Sequence, residues 1–175
     1  MNLFEAIKER YSYRGEFKPV PLGRDELTKI LEAGLAAPSG CNAQTTYLIG
    51  IDDPEIIKAM SSILKKPKAL GAQAGICVVT HAYPVYRDMQ FNVQDYSAAI
   101  ENMLLAITAS GYASYWIEGE ITANREVQKA IQKLLDIPEK YELVCYLPIG
   151  VPLSPGSRAV KKPFSERAFF NRFGA

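Results

Sequence analysis

The stretch from Asp95 to Ser110 places the tightest limit on how this chain can fold. It predicts the longest strongly apolar helix, with Ala98, Ala99, Ile100, Met103, Leu104, Leu105, Ala106, Ile107 and Ala109 spread around more than one face. An ordinary surface helix needs cover on one side. This one needs it on several, which makes it a central helix or part of a subunit interface. Gly111 closes it. The chain has 175 residues, which suits one domain spanning 1–175. A domain of that size buries about 70% of its unfolded surface and needs no disulfide or metal staple.

Around this segment, helical and strand patterns interleave without forming a clean βαβ series. Leu3, Phe4, Ala6 and Ile7 predict a short first helix ending near Arg10. Gly15 to Gly23, with Pro19 and Pro21, reads as extended linker, and Arg24 to Ala37 as a second helix stopped by Pro38, Ser39 and Gly40. Thr45 to Ile51 is β-rich. Asp53 followed by Pro54 is an N-cap and first-turn signature for a helix to about Leu64, broken by Lys65, Lys66, Pro67 and Lys68. Ile76 to Thr80 predicts a buried strand, Ala82 to Gln90 a loop and Ala113 to Ile117 a strand. Thr122 predicts the cap of a helix to about Leu135, and Glu142 to Val151 the last strong strand. The class is α+β. The tail from Pro152 is basic and carries Phe164, Phe169, Phe170 and Phe173 with no local partner, so 152–175 is expected to pack on a neighbouring subunit.

Charge and cysteine usage exclude several functions. Twenty Lys+Arg against nineteen Asp+Glu leave a formal charge of +1, so no global field points to nucleic acid or a membrane surface. Cys41, Cys77 and Cys145 are widely spaced and His81 is the only histidine. That excludes a four-ligand zinc site, so no metal is expected. An odd, sparse cysteine count reads as a reducing compartment, and no signal peptide or membrane span is expected; the expected location is cytoplasmic. Neither GxGxxG after a strand nor GxxxxGK[ST] occurs.

Four clusters could carry chemistry. Arg10, Tyr11, Ser12, Tyr13 and Arg14 gather two guanidiniums and a hydroxyl at a helix end, which suits an anion or a ring's carbonyl edge. Taken alone, this cluster is more often a solvated helix end opposing the dipole. Ala37 to Gln44 holds Pro38, Ser39, Gly40, Cys41 and Asn42, which can bring backbone and amide groups against a planar polar ligand, or simply end a helix. Trp116, Ile117, Glu118 and Gly119 end a strand, where a glycine permits close approach of a ligand. Arg158, Lys161 and Lys162 before Pro163 form a second basic cluster. A hydrolase using Ser39 or Cys41 with His81 is disfavoured, because no nucleophile elbow surrounds Ser39.

Together and in this order, the clusters resemble the nitroreductase family of flavin enzymes. Arg10-Tyr11-Ser12-Tyr13-Arg14 is similar to that family's Arg-x-Ser-x-Arg, and Ala36 to Gln44 to its Ala-Pro-Ser-(Ser/Gly)-x-Asn-x-Gln loop. Asp95 to Gly119, with Asn102, Leu104 and Leu105, resembles the family's central helix and the strand into Glu118-Gly119. Ile149 to Pro152 resembles its strand end, and Lys161-Lys162-Pro163 its basic tail.

The resemblance implies a three-layer fold with a central, mainly antiparallel sheet flanked by helices, in an intertwined homodimer that binds FMN. It implies that Arg10, Tyr11, Ser12, Lys161 and Lys162 lie at the FMN phosphate and ribityl chain, and Arg14 at the flavin's pyrimidine edge. It implies that Pro38, Ser39, Gly40 and Asn42 come from the partner subunit, and that Glu118 and Gly119 offer backbone N–H groups to the ring. The implied activity passes hydride from NADH or NADPH to flavin, then to a nitroaromatic, quinone or similar small-molecule acceptor, by ping-pong kinetics. A non-catalytic dimer that stores or senses flavin would carry the same phosphate cluster, and turnover of NAD(P)H separates the two.

Overall fold

The computed structural model describes residues 1–65 and 71–174. Helix α1 spans Leu3–Glu9 and starts in a capping box. The Asn2 side chain accepts from the Glu5 N–H at 3.0 Å, and the Glu5 carboxylate accepts from the Asn2 N–H at 2.9 Å. Helix α2 is Arg24–Leu35, strand β1 Thr46–Ile51, helix α3 Pro54–Leu64, strand β2 Ala74–Thr80 and helix α4 Asn92–Ala109. A short helix, α5, covers Gly119–Thr122; α6 covers Arg125–Leu134 and strand β3 Glu142–Ile149.

The strands form one antiparallel sheet in the order β1-β2-β3. Strand β2 lies between the others and is buried at every position, so both sheet faces are covered. On one face Ala74, Ile76 and Val78 meet Ile30 of α2 and Ile100, Met103 and Ile107 of α4. On the other, Cys77 and Val79 meet Ile57, Met60 and Leu64 of α3 and Ile131 of α6. The alternation follows the two-residue period of a strand. A bulge between Val78 and Val79 breaks the register, and on β3 it puts both Val144 and Cys145 on the α4 side. This is the expected α+β arrangement of helices on both sides of a sheet.

Helix α4 holds the sheet, α1, α2 and the turn at Gly40–Asn42 together. Its crossing with α2 is close because Gly34 has no side chain: a Cβ there would stand 2.8 Å from Met103 Cγ and 2.9 Å from Leu48 Cδ1. At the same crossing the Asn102 amide donates to the Ala33 carbonyl at 3.1 Å. That carbonyl lies in the last turn of α2, where main-chain acceptors lack helical partners.

Several local expectations shift. Helix α4 begins at Asn92, with Phe91 as N-cap, so Asp95 lies inside its first turns and is buried. Residues 113–117 are not a ladder strand. Ala113 bridges Gly150, Ser114 bridges Ser12 and Ile117 bridges Tyr146, so the stretch passes between three partners in five residues. Thr122 ends α5 and its hydroxyl turns back to the Glu118 carbonyl at 3.2 Å. The cap of α6 is Asn124, whose side chain accepts from Glu126 and Val127. The predicted break at Lys66, Pro67 and Lys68 lies outside the described residues. Among the described residues no helix is long and apolar enough to cross a membrane.

Among the described residues, apolar side chains on α1 and in the tail remain uncovered. Of the apolar positions on α1 only Ala6 is buried, while Phe4 is 80% exposed. In the tail, Phe164, Phe170 and Phe173 are exposed as well.

Met103 is fully buried at the crossing of α2, α4 and the sheet. Met103→Ala should cost about 2–5 kcal/mol of unfolding free energy in urea denaturation, the range for emptying a packed core site. A loss below about 1 kcal/mol would mean the crossing is not the packed centre described here.

Candidate functional site

The chain leaves α1 at Arg10 and runs extended, bridging Ser114 in parallel at Ser12. The Tyr13 N–H donates to the Ser114 carbonyl at 2.9 Å. Extended backbone alternates its side chains. Tyr13 turns inward and is buried, while Ser12 and Arg14 face a cavity of about 680 Å³. The Tyr13 phenol donates to the Glu16 carbonyl and accepts from the Leu153 N–H at 3.2 Å; the Tyr11 phenol accepts from the Gly156 N–H at 3.3 Å. These two rings fasten the segment to the start of the tail.

The cavity gathers residues from both ends of the chain. Lys8, Arg10, Tyr11, Ser12 and Arg14 line it from the N-terminal side, and Arg158 and Lys161 from the tail. Two of its cations are held by carboxylates. Arg10 pairs with Glu101 of α4 at 3.4 Å, and Arg158 pairs with Glu9. Arg14 sits 5.7 Å from the centre of the Tyr115 ring, which fixes a guanidinium by a cation–π contact. Lys162 is exposed beside Lys161. Of the two basic clusters predicted from opposite ends of the sequence, Arg10, Tyr11, Ser12, Arg14, Arg158 and Lys161 line one cavity, and Lys162 is not among its lining residues.

The loop carrying Pro38, Ser39, Gly40 and Asn42 is held elsewhere. Its Gly40 N–H donates to Asp95 of α4 at 2.8 Å, and the Tyr83 hydroxyl donates to the Ala43 carbonyl at 3.0 Å. Cys41, Asn42 and Gln44 have φ of 51°, 55° and 51°, a left-handed region that costs a non-glycine residue roughly 1–2 kcal/mol. Gly40 lies against Phe91, where a Cβ would stand 2.5 Å from a ring carbon. Ser39 Oγ accepts from the Gln44 N–H at 3.0 Å and so closes the loop on itself. His81 packs at a tilt against Tyr83 and edge-on against Tyr141. Ser39, Tyr83 and His81 thus each have a structural use.

Glu118 is the N-cap of α5, and its carbonyl accepts from Ile121 and Thr122 at 2.8 and 2.9 Å. The first N–H groups of a helix have no partner within it. Nothing lies within 4 Å of the place a Gly119 Cβ would occupy, so a flat molecule can reach this backbone. The Tyr96 phenol of α4 is pushed up from its ordinary pKa, first by burial and then by the neighbouring Glu118 carboxylate.

A groove of about 760 Å³ along α6 is comparable in size but carries none of the predicted residues. Its cations Arg125, Lys129 and Lys133 are offset by Glu139 and Glu142. Its amides are already used: Gln128 donates to the Leu143 carbonyl and Gln132 to the Tyr141 carbonyl. Among the described residues no cluster of His, Cys, Asp or Glu could hold a metal ion.

The nitroreductase family profile matches residues 7–74 and 63–151, which is most of the chain. The chain belongs to the nitroreductase family. A protein of Archaeoglobus fulgidus, provisionally named an NADH dehydrogenase/NAD(P)H nitroreductase, is 32% identical over 152 residues, covering 85% of this chain and 86% of its own. A solved structure from Clostridium difficile, described as an FMN-dependent nitroreductase, is 26% identical with a TM-score of 0.77, covering 97% of this chain and 99% of that one. A BluB-like flavoprotein from the same species shares the fold at a TM-score of 0.83 and 22% identity, covering 98% and 100% of the two chains. The three-layer fold implied by the sequence is therefore the nitroreductase fold, and membership makes the chain an oxidoreductase.

Sequence reading assigns no role to Asp95, which bonds the 40–45 loop, or to Tyr96, which lies beside Glu118. An acid at the edge of a strongly apolar helix was the available signal for Asp95. Its partners, Gly40 and Thr45, lie 55 and 50 residues away.

Cys77 and Cys145 are fully buried, and burial pushes both thiols well above their ordinary range; Cys41 is exposed. A thiol-directed chromogenic reagent should therefore titrate at most one thiol per folded chain and all three after unfolding. Two fast thiols in the folded protein would contradict the buried positions of Cys77 and Cys145.

Proposed function

We propose that this chain is an NAD(P)H-dependent FMN oxidoreductase working as a homodimer, with a small-molecule nitroaromatic, quinone or similar acceptor. The observation that carries the reading is the shared cavity in which Arg10, Ser12 and Arg14 meet Arg158 and Lys161. A phosphate dianion needs several convergent charged donors, and this donor set fits one. Bound FMN would supply the redox chemistry, taking hydride from NADH or NADPH and passing electrons to the acceptor from the same place, hence ping-pong kinetics.

The chain's own residues bind and orient. Arg10, Tyr11, Ser12, Lys161 and Lys162 hold the phosphate and ribityl chain. Glu101 holds the Arg10 guanidinium in place before the ligand arrives, which lowers the ordering cost of binding. Arg14, fixed over Tyr115, lies at the pyrimidine edge, where negative charge gathers on reduction. The backbone at Glu118 and Gly119, open at the Gly119 Cβ position, would offer its N–H groups to the ring. Pro38, Ser39, Gly40 and Asn42, which are not among the residues lining this cavity, act from the partner subunit, as the family resemblance implies.

The homodimer is supported by the exposed apolar side of α1 and by the tail phenylalanines. Together they leave more uncovered apolar surface than a small isolated domain usually shows. The tail 152–175 packs on the partner. Three free thiols fit the reducing cytoplasm.

The phosphate assignment is tested by comparing FMN with riboflavin, which lacks the phosphate. Arg10→Ala or Lys161→Ala should weaken FMN binding by about 1.5–3 kcal/mol, the range for hydrogen bonds to charged groups, and weaken riboflavin binding by clearly less. Equal losses for both flavins would remove the phosphate from this cavity.

Arg14→Ala should lower the reduction potential of bound FMN, because a fixed cation favours the more negative state. A change of about 30 mV corresponds to 1.4 kcal/mol for two electrons, so a modest effect is measurable by potentiometric titration. A potential identical to that of the unaltered protein would reduce Arg14 to a surface charge.

A further inference from the structure

Asp95 is 3% exposed, in the first turns of α4. A buried carboxylate is stable only where hydrogen bonds replace its lost water. Here one oxygen accepts from the Gly40 N–H at 2.8 Å and the other from the Thr45 hydroxyl at 2.6 Å. Thr45 is itself 1% exposed. Its carbonyl accepts from the His81 N–H at 3.0 Å and from the Thr80 hydroxyl at 3.2 Å. One carboxylate thus grips both ends of the segment 40–45 and ties it to the end of strand β2.

The segment between these two grips is the one with Cys41, Asn42 and Gln44 in the left-handed region. Three such residues so close together do not hold that shape unaided, because each is disfavoured for a side chain with a Cβ. The ring of Phe91 closes on Gly40, and the bonds to Asp95 fix the segment at its two ends, one from the Gly40 N–H and one from the Thr45 hydroxyl.

We infer that Asp95 is the positioning residue of the flavin loop, holding residues 40–45, with Cys41, Asn42 and Gln44 left-handed, as a ready-made wall for the partner subunit's ring. Glu101 lies six residues further along the same helix, about 9 Å at 1.5 Å per residue, and holds Arg10. Helix α4 therefore sets the position of both groups, the loop through Asp95 and the phosphate cation through Glu101. This assignment rests on the FMN reading for its functional meaning, but the latch itself does not need flavin to be observed.

The test uses the full chain with Asp95→Ala, Asp95→Asn and, should Asp95→Ala not fold, Thr45→Val. Hydrogen exchange on the flavin-free protein reads the Gly40 amide. That amide should be protected in the unaltered protein and in Asp95→Asn, which keeps an acceptor oxygen, and should exchange at least about tenfold faster in Asp95→Ala. Equilibrium titration then reads FMN and riboflavin separately. Asp95→Ala should weaken both by the same factor, about tenfold or more, since the loop acts on the ring; that is the size expected for losing bonds to a charged group. Asp95→Asn should recover most of the loss, and Thr45→Val should move both flavins in the same direction by less.

A folded Asp95→Ala whose Gly40 amide stays protected overturns the latch. So does a loss confined to FMN, and so does a folded Thr45→Val with unchanged affinity for both flavins. If the unaltered protein binds neither flavin while Gly40 is released only in Asp95→Ala, the FMN reading fails and the latch stands.

Discussion

Burial of α4 is the constraint on which the rest depends. The helix spans 18 residues and packs against the sheet, α1, α2 and the turn at 40–42. Its apolar residues gain from leaving water at about 25 cal/mol per Å². The gain is available only if sheet and α2 close over it, and Gly34 lets them come near enough. Polar residues on the same helix use that rigidity. Asn102 ties α2, Asp95 ties the 39–44 loop and Glu101 ties Arg10. A rigid core element thus carries the fasteners of the candidate site, which is how loops hold a ligand geometry that their own sequences cannot fix.

The charge pattern follows the same logic. Across the whole chain the formal charge is +1, so no long-range field singles out an anionic ligand. The cavity beside α1 is nonetheless dominated by cations, because the extended segment 10–14 and the tail are drawn together by Tyr11, Tyr13 and the Glu9–Arg158 pair. Carboxylates within this arrangement pair with individual guanidiniums and do not neutralise the cavity. Such paired cations are held in a few geometries, so less freedom is lost when a ligand phosphate meets them.

Much of this was legible in the sequence where the cause is local. Helix α3 is announced by Asp53 and Pro54, because cap chemistry needs only neighbouring residues. Strand β2 reads from its β-branched run, and the order of the four clusters carries the family. What the sequence hides has distant causes. Residues 113–117 look like a strand but divide their pairing among Gly150, Ser12 and Tyr146. Asp95 looks like the polar start of a helix, while its two hydrogen bonds run to residues more than 45 positions away. Leu3, Phe4 and Ile7 look like a core face and remain exposed in the single chain, which no local rule foretells.

On the proposed reading the cavity at the end of α1 serves a flavin that nicotinamide can reduce. Anaerobic titration of the FMN-reconstituted protein with NADH and NADPH, followed in the visible flavin band, tests it most directly. The band should be carried by the protein, bleach with at least one of the two donors and return when a quinone is added. A protein that retains no FMN on reconstitution, or whose bound flavin neither donor bleaches, would contradict it.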